Sequence, residues 1–216
     1  MGLTFGYELR LPASLSGDEV DAILEKLKRH AERSRFRQVS STYAGVVDFL
    51  PDEWRQVFNV LAEVNAEVLG NDERPYVADL ATARGFLASP GKGAETTSFG
   101  FMLRTFDDDG SREWFWQGWC KTQYASNHGD EHFLRCHLRL VEMMDFAIQS
   151  GVEVTVWDEG QYWETRDRDV LLAELDKMNR LMARVAGRLH DAKHQVESPI
   201  FEHPDWGASR GSRRPL

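Results

Sequence analysis

The chain has 216 residues, 42 % apolar and 28 % charged, with a formal net charge of -9 and an isoelectric point near 5.3. That balance fits one large domain with a core that needs no staples. The acidic excess argues against nucleic acid or an anionic membrane as partner, both of which call for a basic footprint, and no apolar run is long enough to span a bilayer.

Leu3, Phe5, Tyr7, Leu9 and Leu11 alternate with Thr4, Gly6, Glu8 and Arg10, the pattern of a half-buried strand ended by Pro12. Ser16 and Glu19 form a capping box, and Val20, Ile23, Leu24 and Leu27 follow at helical spacing, which predicts a helix to about Arg33. Phe36–Phe49 reads as a second strand. Pro51 and Asp52 open a second helix, with Trp54, Val57, Phe58 and Leu61 on its apolar stripe and Gly70 at its end. Two strands are predicted at Val77–Ala88 and Ser98–Phe106, joined by the Ser89–Thr96 loop "SPGKGAET", which is a hairpin loop or a flap over a ligand. The Asp-Gly turn "DDDGS" leads into a fifth strand, Glu113–Tyr124. A helix over Asp130–Gln149 stops before Gly151, a sixth strand covers Val152–Asp158, and a long helix covers Asp167–Asp191. The long helix carries a seam of Leu171, Leu175, Met178, Met182, Val185 and Leu189. Residues 196–216 show no periodicity and are expected to form an extended or disordered tail to a single domain of residues 1–195.

The expected fold is α+β: a mostly antiparallel six-stranded sheet with helices on one face, in the order β-α-β-α-β-β-β-α-β-α. In the fifth strand Trp114, Trp116, Cys120 and Thr122 share one side. Trp119, Lys121 and Gln123 share the other. In the sixth, Val152, Val154 and Val156 face the core and Glu153, Thr155, Trp157 and Glu159 face away. A β-α-β crossover sets such strands adjacent or one apart, so Trp119 and Lys121 should share an outer face with Trp157 and Glu159. Tryptophans among amides and charges suit a flat ligand; a solvated sheet face with cross-strand ion pairs is the plain alternative.

"WDEGQYWETRD" (Trp157–Asp167) adds Asp158, Glu159 and Glu164 among Tyr162, Trp163 and Arg166. Carboxylates beside aromatics at a strand end suit acid-base chemistry. A turn made by Asp158 and a solvated Glu164 explain the same residues without chemistry. His128, His132 and Cys136 step by four, with Cys120 upstream, a spacing that could hold zinc. Buried thiols and surface histidines are the simpler reading, so no metal or cofactor is expected. His137 shares a helix face with Phe133, Leu140 and Met144 and reads as a hydrogen-bonded core histidine. The segment "SPGKGAET" lacks P-loop spacing, and no dinucleotide fingerprint occurs.

The segments "GFLASPGKGAETTSFGF", "GWCKTQYAS" and "DEGQYWETRD" resemble, in this order, a group of bacterial proteins with no established activity. The likeness spans about the C-terminal two thirds of the chain. It implies a bacterial origin and carries over no functional residue. Two free thiols and no signal-like start suggest the cytoplasm.

The expected function is binding of a small ligand or a protein partner, a second copy of the chain among the options. The candidate residues are Trp119, Lys121, Gln123, Tyr124, Trp157, Asp158, Glu159, Tyr162 and Glu164. The alternative is a hydrolase or transferase that uses Asp158, Glu159 or Glu164 with Lys121 and Tyr124.

Overall fold

The computed structural model describes residues 3–44 and 76–191. Strand β1 (Thr4–Pro12) buries Phe5, Tyr7, Leu9 and Leu11 on one side, as the alternation predicts. Helix α1 (Gly17–Arg33) begins with the capping box. The Ser16 hydroxyl accepts from the Glu19 N–H, and the Glu19 carboxylate accepts from the Ser16 N–H at 2.8 Å. Its Val20, Leu24, Leu27 and Ala31 are buried against the sheet.

The expected strand at Phe36–Phe49 is broken within its described part into β2 (Gln38–Val39) and β3 (Tyr43–Ala44), so the sheet has seven strands among the described residues. Both pieces pair with β4 (Tyr76–Ser89), and Ser40–Thr42 supplies one residue more than β4 spans between the two pairings. The Ser40 hydroxyl takes the Leu87 N–H and replaces the ladder bond lost at the break. The rest of that strand and the helix expected from Pro51 to Gly70 lie outside the described residues, as does the tail at 196–216.

Strands β5 (Thr97–Phe106), β6 (Arg112–Lys121) and β7 (Glu153–Asp158) complete the sheet, in the order β2-β4-β5-β6-β1-β7 with every pairing antiparallel. The Asp-Gly turn forms between β5 and β6, with Gly110 at φ 68°. Because β6 and β7 both run against β1, they are parallel to each other. Helix α2 (Asp130–Gln149) makes the crossover between them, and β1 lies between the two strands.

Helices α1 and α2 cover the inner face, where Phe5, Tyr7 and Leu9 meet Leu24, Leu140, Val141 and Met144 in one core. His30 stacks on Phe146 where the two helices touch, with ring centroids 4.0 Å apart. A short helix α3 (Tyr162–Thr165) leads to α4 (Arg168–Asp191). Helix α4 packs Leu171 and Leu175 on Leu3, Ala125, Phe133 and Leu134, at the end of the sheet. Its buried line departs from the predicted seam. After Leu175 it runs through Asn179, Ala183 and Ala186, while Met178, Met182 and Val185 stay half-buried. A hydrogen bond explains the change: the Gln123 amide donates to Asn179 Oδ1 at 2.7 Å and draws that position inward. No described helix is long and apolar enough to cross a membrane.

Candidate functional site

Gly6 is opposite Trp119 across the β1–β6 ladder and opposite Trp157 across the β1–β7 ladder. Directly paired residues share a sheet face, so the two tryptophans flank one glycine on the outer side, as the strand patterns predict. Trp157 is 48 % exposed, and Trp119 is half-buried. The Trp157 ring leans over β1 and comes within 3.5 Å of where a Gly6 side chain would start. A methyl group there would only touch the ring, and a longer side chain on that face would compete with it for the space over the strand. Val154 and Val156 face the core from the other side of β7.

The outer face is not open along its whole length. Glu8, opposite Gln117 and Thr155, is only 2 % exposed and is held by Arg10. Phe115 is also buried, under the Arg104 guanidinium, which stacks on its ring at 3.7 Å and donates to Glu113 at 2.7 Å. The face is therefore closed at Glu8 and Phe115, while Glu153, Thr155 and Trp157 stay exposed along β7, with the half-buried Trp119 across Gly6 from Trp157.

Lys121 and Glu159 stand at these ends, but they are not an ion pair. Lys121 is opposite Thr4 on β6, and its ammonium lies 3.6 Å from Glu95 of the Ser89–Thr96 loop. Glu159 follows β7 and accepts the Thr4 N–H at 2.6 Å. Strand β1 runs between them, so each charge has a partner of its own.

Other candidate residues turn inward. Strand β6 ends at Lys121, short of the predicted Tyr124, and Gln123–His128 form a 3-10 turn. This rotates Gln123 into the interior, where its carbonyl takes the Leu3 N–H at 3.2 Å and its amide reaches Asn179. Gln123 is therefore removed from the outer face. Tyr124 is half-buried in the same turn, Tyr162 packs half-buried against the core, and Glu164 is exposed on α3. Beside Glu164, Arg166 makes a two-pronged bond to Asp145 at 2.7 and 2.9 Å and covers the Trp163 ring. The Asp145 hydrogen bond holds the Arg166 guanidinium charged, above its ordinary range.

Asp158 is buried, and its side chain is fully enclosed. It accepts from the Gly160 N–H at 2.8 Å, the Trp163 N–H at 2.9 Å and His137 Nε2 at 3.2 Å. In the neutral ring the other nitrogen, Nδ1, accepts from the Thr122 hydroxyl at 3.0 Å. Burial pushes the Asp158 pKa up, but the His137 hydrogen bond and charge and the two backbone N–H groups outweigh it, so the net shift is downward. Thr122, His137 and Asp158 have the residue types of a hydroxyl–imidazole–carboxylate relay. They are buried, however, and Leu171 closes over Gly160 beside them. His137 is thus the hydrogen-bonded core histidine its helix face predicts. The three carboxylates of the enzyme reading sit in three environments: Asp158 inside, Glu159 bonded to β1, and Glu164 on the surface of α3.

The Ser89–Thr96 loop joins β4 to β5 as a hairpin and is tied down along its length. The Arg139 guanidinium donates to the Pro90 carbonyl, His132 donates to the Lys92 carbonyl at 2.8 Å, and the Glu95 N–H bonds the Lys121 carbonyl at 3.0 Å. These ties support the hairpin reading of the loop. Cys120 and Cys136 are both buried free thiols whose pKa values burial raises, the reverse of a reactive cysteine. Cys136 touches His132, with Sγ 3.6 Å from Nε2, yet among the described residues no three His, Cys, Asp or Glu side chains gather as a metal set would.

A cavity of about 530 Å³ opens at the end of the sheet, between Leu3, Glu159 and one side of α4. Of the candidate residues it includes Glu159, and Lys121, Tyr124 and Glu164 do not line it. Comparison with models of known protein families, with curated proteins and with solved structures gives no match.

Proposed function

We propose that this chain is a binding domain that recognises a small molecule with a flat ring on the Trp119–Gly6–Trp157 row. The observation that carries the reading is the shared register at Gly6, which leaves one indole exposed over a strand with no side chain beneath it. Nothing in the folding of β7 requires a tryptophan there, since Trp157 leaves 48 % of its surface in water. Indole faces stack on rings, and the charges at the row's ends, Lys121 with Glu95 and Glu159 beside Thr4, would orient polar substituents.

The test is calorimetric titration with panels of aromatic and sugar-ring compounds, repeated on Trp157→Ala. An aromatic contact is worth about 0.5–1.5 kcal/mol beyond its buried area, so the substitution should weaken binding about tenfold or more. The melting temperature should barely change, because the ring is half exposed. If Trp157→Ala binds the same ring compounds as well as the parent chain, the row is not the site. If no ring compound binds but a protein partner is lost with Trp157, the same surface serves a protein.

A further inference from the structure

We propose that the cavity along α4 is a second binding site, which shares only Glu159 with the tryptophan row and takes an elongated dipolar chain: a cationic amine at one end, an apolar middle and a carboxylate at the other. Its volume of about 530 Å³ is within the range of small-molecule sites, about 300–1,000 Å³. The α4 residues that line it lie at 174, 177, 178, 181 and 184, a single stripe on one side of the helix.

The charges along this stripe are ordered. The turn after β7 meets α4 near its start, where Leu171 lies 2.5 Å from a side-chain position on Gly160. Glu159 therefore sits toward the beginning of the stripe. Leu3 sits further along, tied through Gln123 to Asn179. Arg184 is ten residues beyond Glu174, about 15 Å along the helix axis. The Lys177 ammonium is 2.9 Å from Glu174, so these two charges offset each other. Glu159 and Arg184 remain, one at each end. Among the described residues Arg184 has no acidic partner, and Glu159 uses one oxygen on a backbone N–H. Between them the wall is Leu3, Met178 and Leu181, and Leu181 is 43 % exposed. An apolar wall with, at its two ends, an anion and a guanidinium that make no ion pair among the described residues matches a chain of the opposite polarity. Arginine binds carboxylates through two parallel N–H···O bonds.

Two sources supply this chemistry. An extended tetrapeptide with free ends spans about 13–14 Å, and an ω-amino fatty acid has the same polarity without peptide groups. The probes are therefore Ala-Leu-Leu-Ala with free ends, its N-acetyl and C-amide forms, and 12-aminododecanoic acid, titrated calorimetrically into the full chain. At least one free-ended probe should bind. Removing its carboxylate by amidation, or the guanidinium by Arg184→Ala, should each weaken binding about tenfold or more, and combining the two should weaken it no further. Acetylation and Glu159→Gln should behave the same way at the other end. Whichever free-ended probe binds more tightly identifies the source. Trp157→Ala should leave these affinities unchanged, which separates this site from the tryptophan row. Blocked and free probes binding equally well, or no binding at millimolar concentration while both variants keep the parent melting temperature, would overturn the proposal.

Discussion

Asp158 shows how one residue can read as a site and act as a support. Its position after a strand, between Trp157 and Glu159, is where ligand-binding residues collect in open sheets. Its side chain instead points inward, because Trp157 has the outward position. There it joins the turn after β7 to His137 of α2 and, through His137, to Thr122 at the end of β6. Losing a partner from such a buried group costs about 1–3 kcal/mol, so Asp158→Asn should lower the unfolding free energy by about that much at neutral pH. The carboxylate has a pKa below its ordinary value of 3.8 in the folded chain. Its contribution is therefore complete above that value and fades as pH falls through the lower, folded one. Denaturant titrations of the parent and Asp158→Asn should show a gap that narrows as pH falls below 3.8. A gap that stays the same down to pH 2 would show that the carboxylate's charge plays no part.

At the scale of elements, the strands and helices with a clear period were legible, and the places where the chain leaves them were not. Helix α2 occupies the predicted Asp130–Gln149, and β5 and β7 differ from expectation by one residue at one end. Period-two alternation also placed Trp119 and Trp157 on one face. It could not show that Gln123 would leave that face, because the strand ends where Thr122 bonds back to Leu3 and His137, and these partners are remote in sequence. Nor could it find Glu95 as the partner of Lys121, or Arg184 as the far end of the cavity. The glycines of the Ser89–Thr96 loop were visible, but the reason for them was not. Gly93 is at φ 81°, and a side chain there would meet the Tyr124 carbonyl oxygen at 2.5 Å. Gly110 is also left-handed, at φ 68°, but nothing lies within 4 Å of it. Both alanine substitutions incur the left-handed penalty of about 1–2 kcal/mol, and only Gly93→Ala adds a backbone clash. Gly93→Ala should therefore lower the melting temperature clearly further than Gly110→Ala. Equal losses would mean that the loop lifts easily away from the 3-10 turn.

The whole molecule is built at two strengths. The sheet with α1 and α2 shares one large core that runs from β1 to β4. Among the described residues, helix α4 is held by a smaller cluster through Leu171 and Leu175, by the buried Ala183 and Ala186, and by the Gln123–Asn179 bond that links it to Leu3. Regions with fewer buried contacts open first and at lower free energy. Amides of α4 should thus exchange with solvent well before those of β1 and β6. Asn179→Ala removes one partner of the buried Gln123 amide, at a cost of about 1–3 kcal/mol. If that cost is borne by α4 opening alone, exchange along α4 should speed up about 5- to 150-fold while β1 and β6 keep the parent rates. The proposed cavity has one wall on α4 and the other on Leu3 and Glu159, so any ligand bound there should slow the same α4 amides by mass action. Hydrogen exchange followed by mass spectrometry reads both effects. If Asn179→Ala speeds exchange in β1 and β6 as much as in α4, the helix and sheet unfold as one unit, and the cavity wall is as firm as the core.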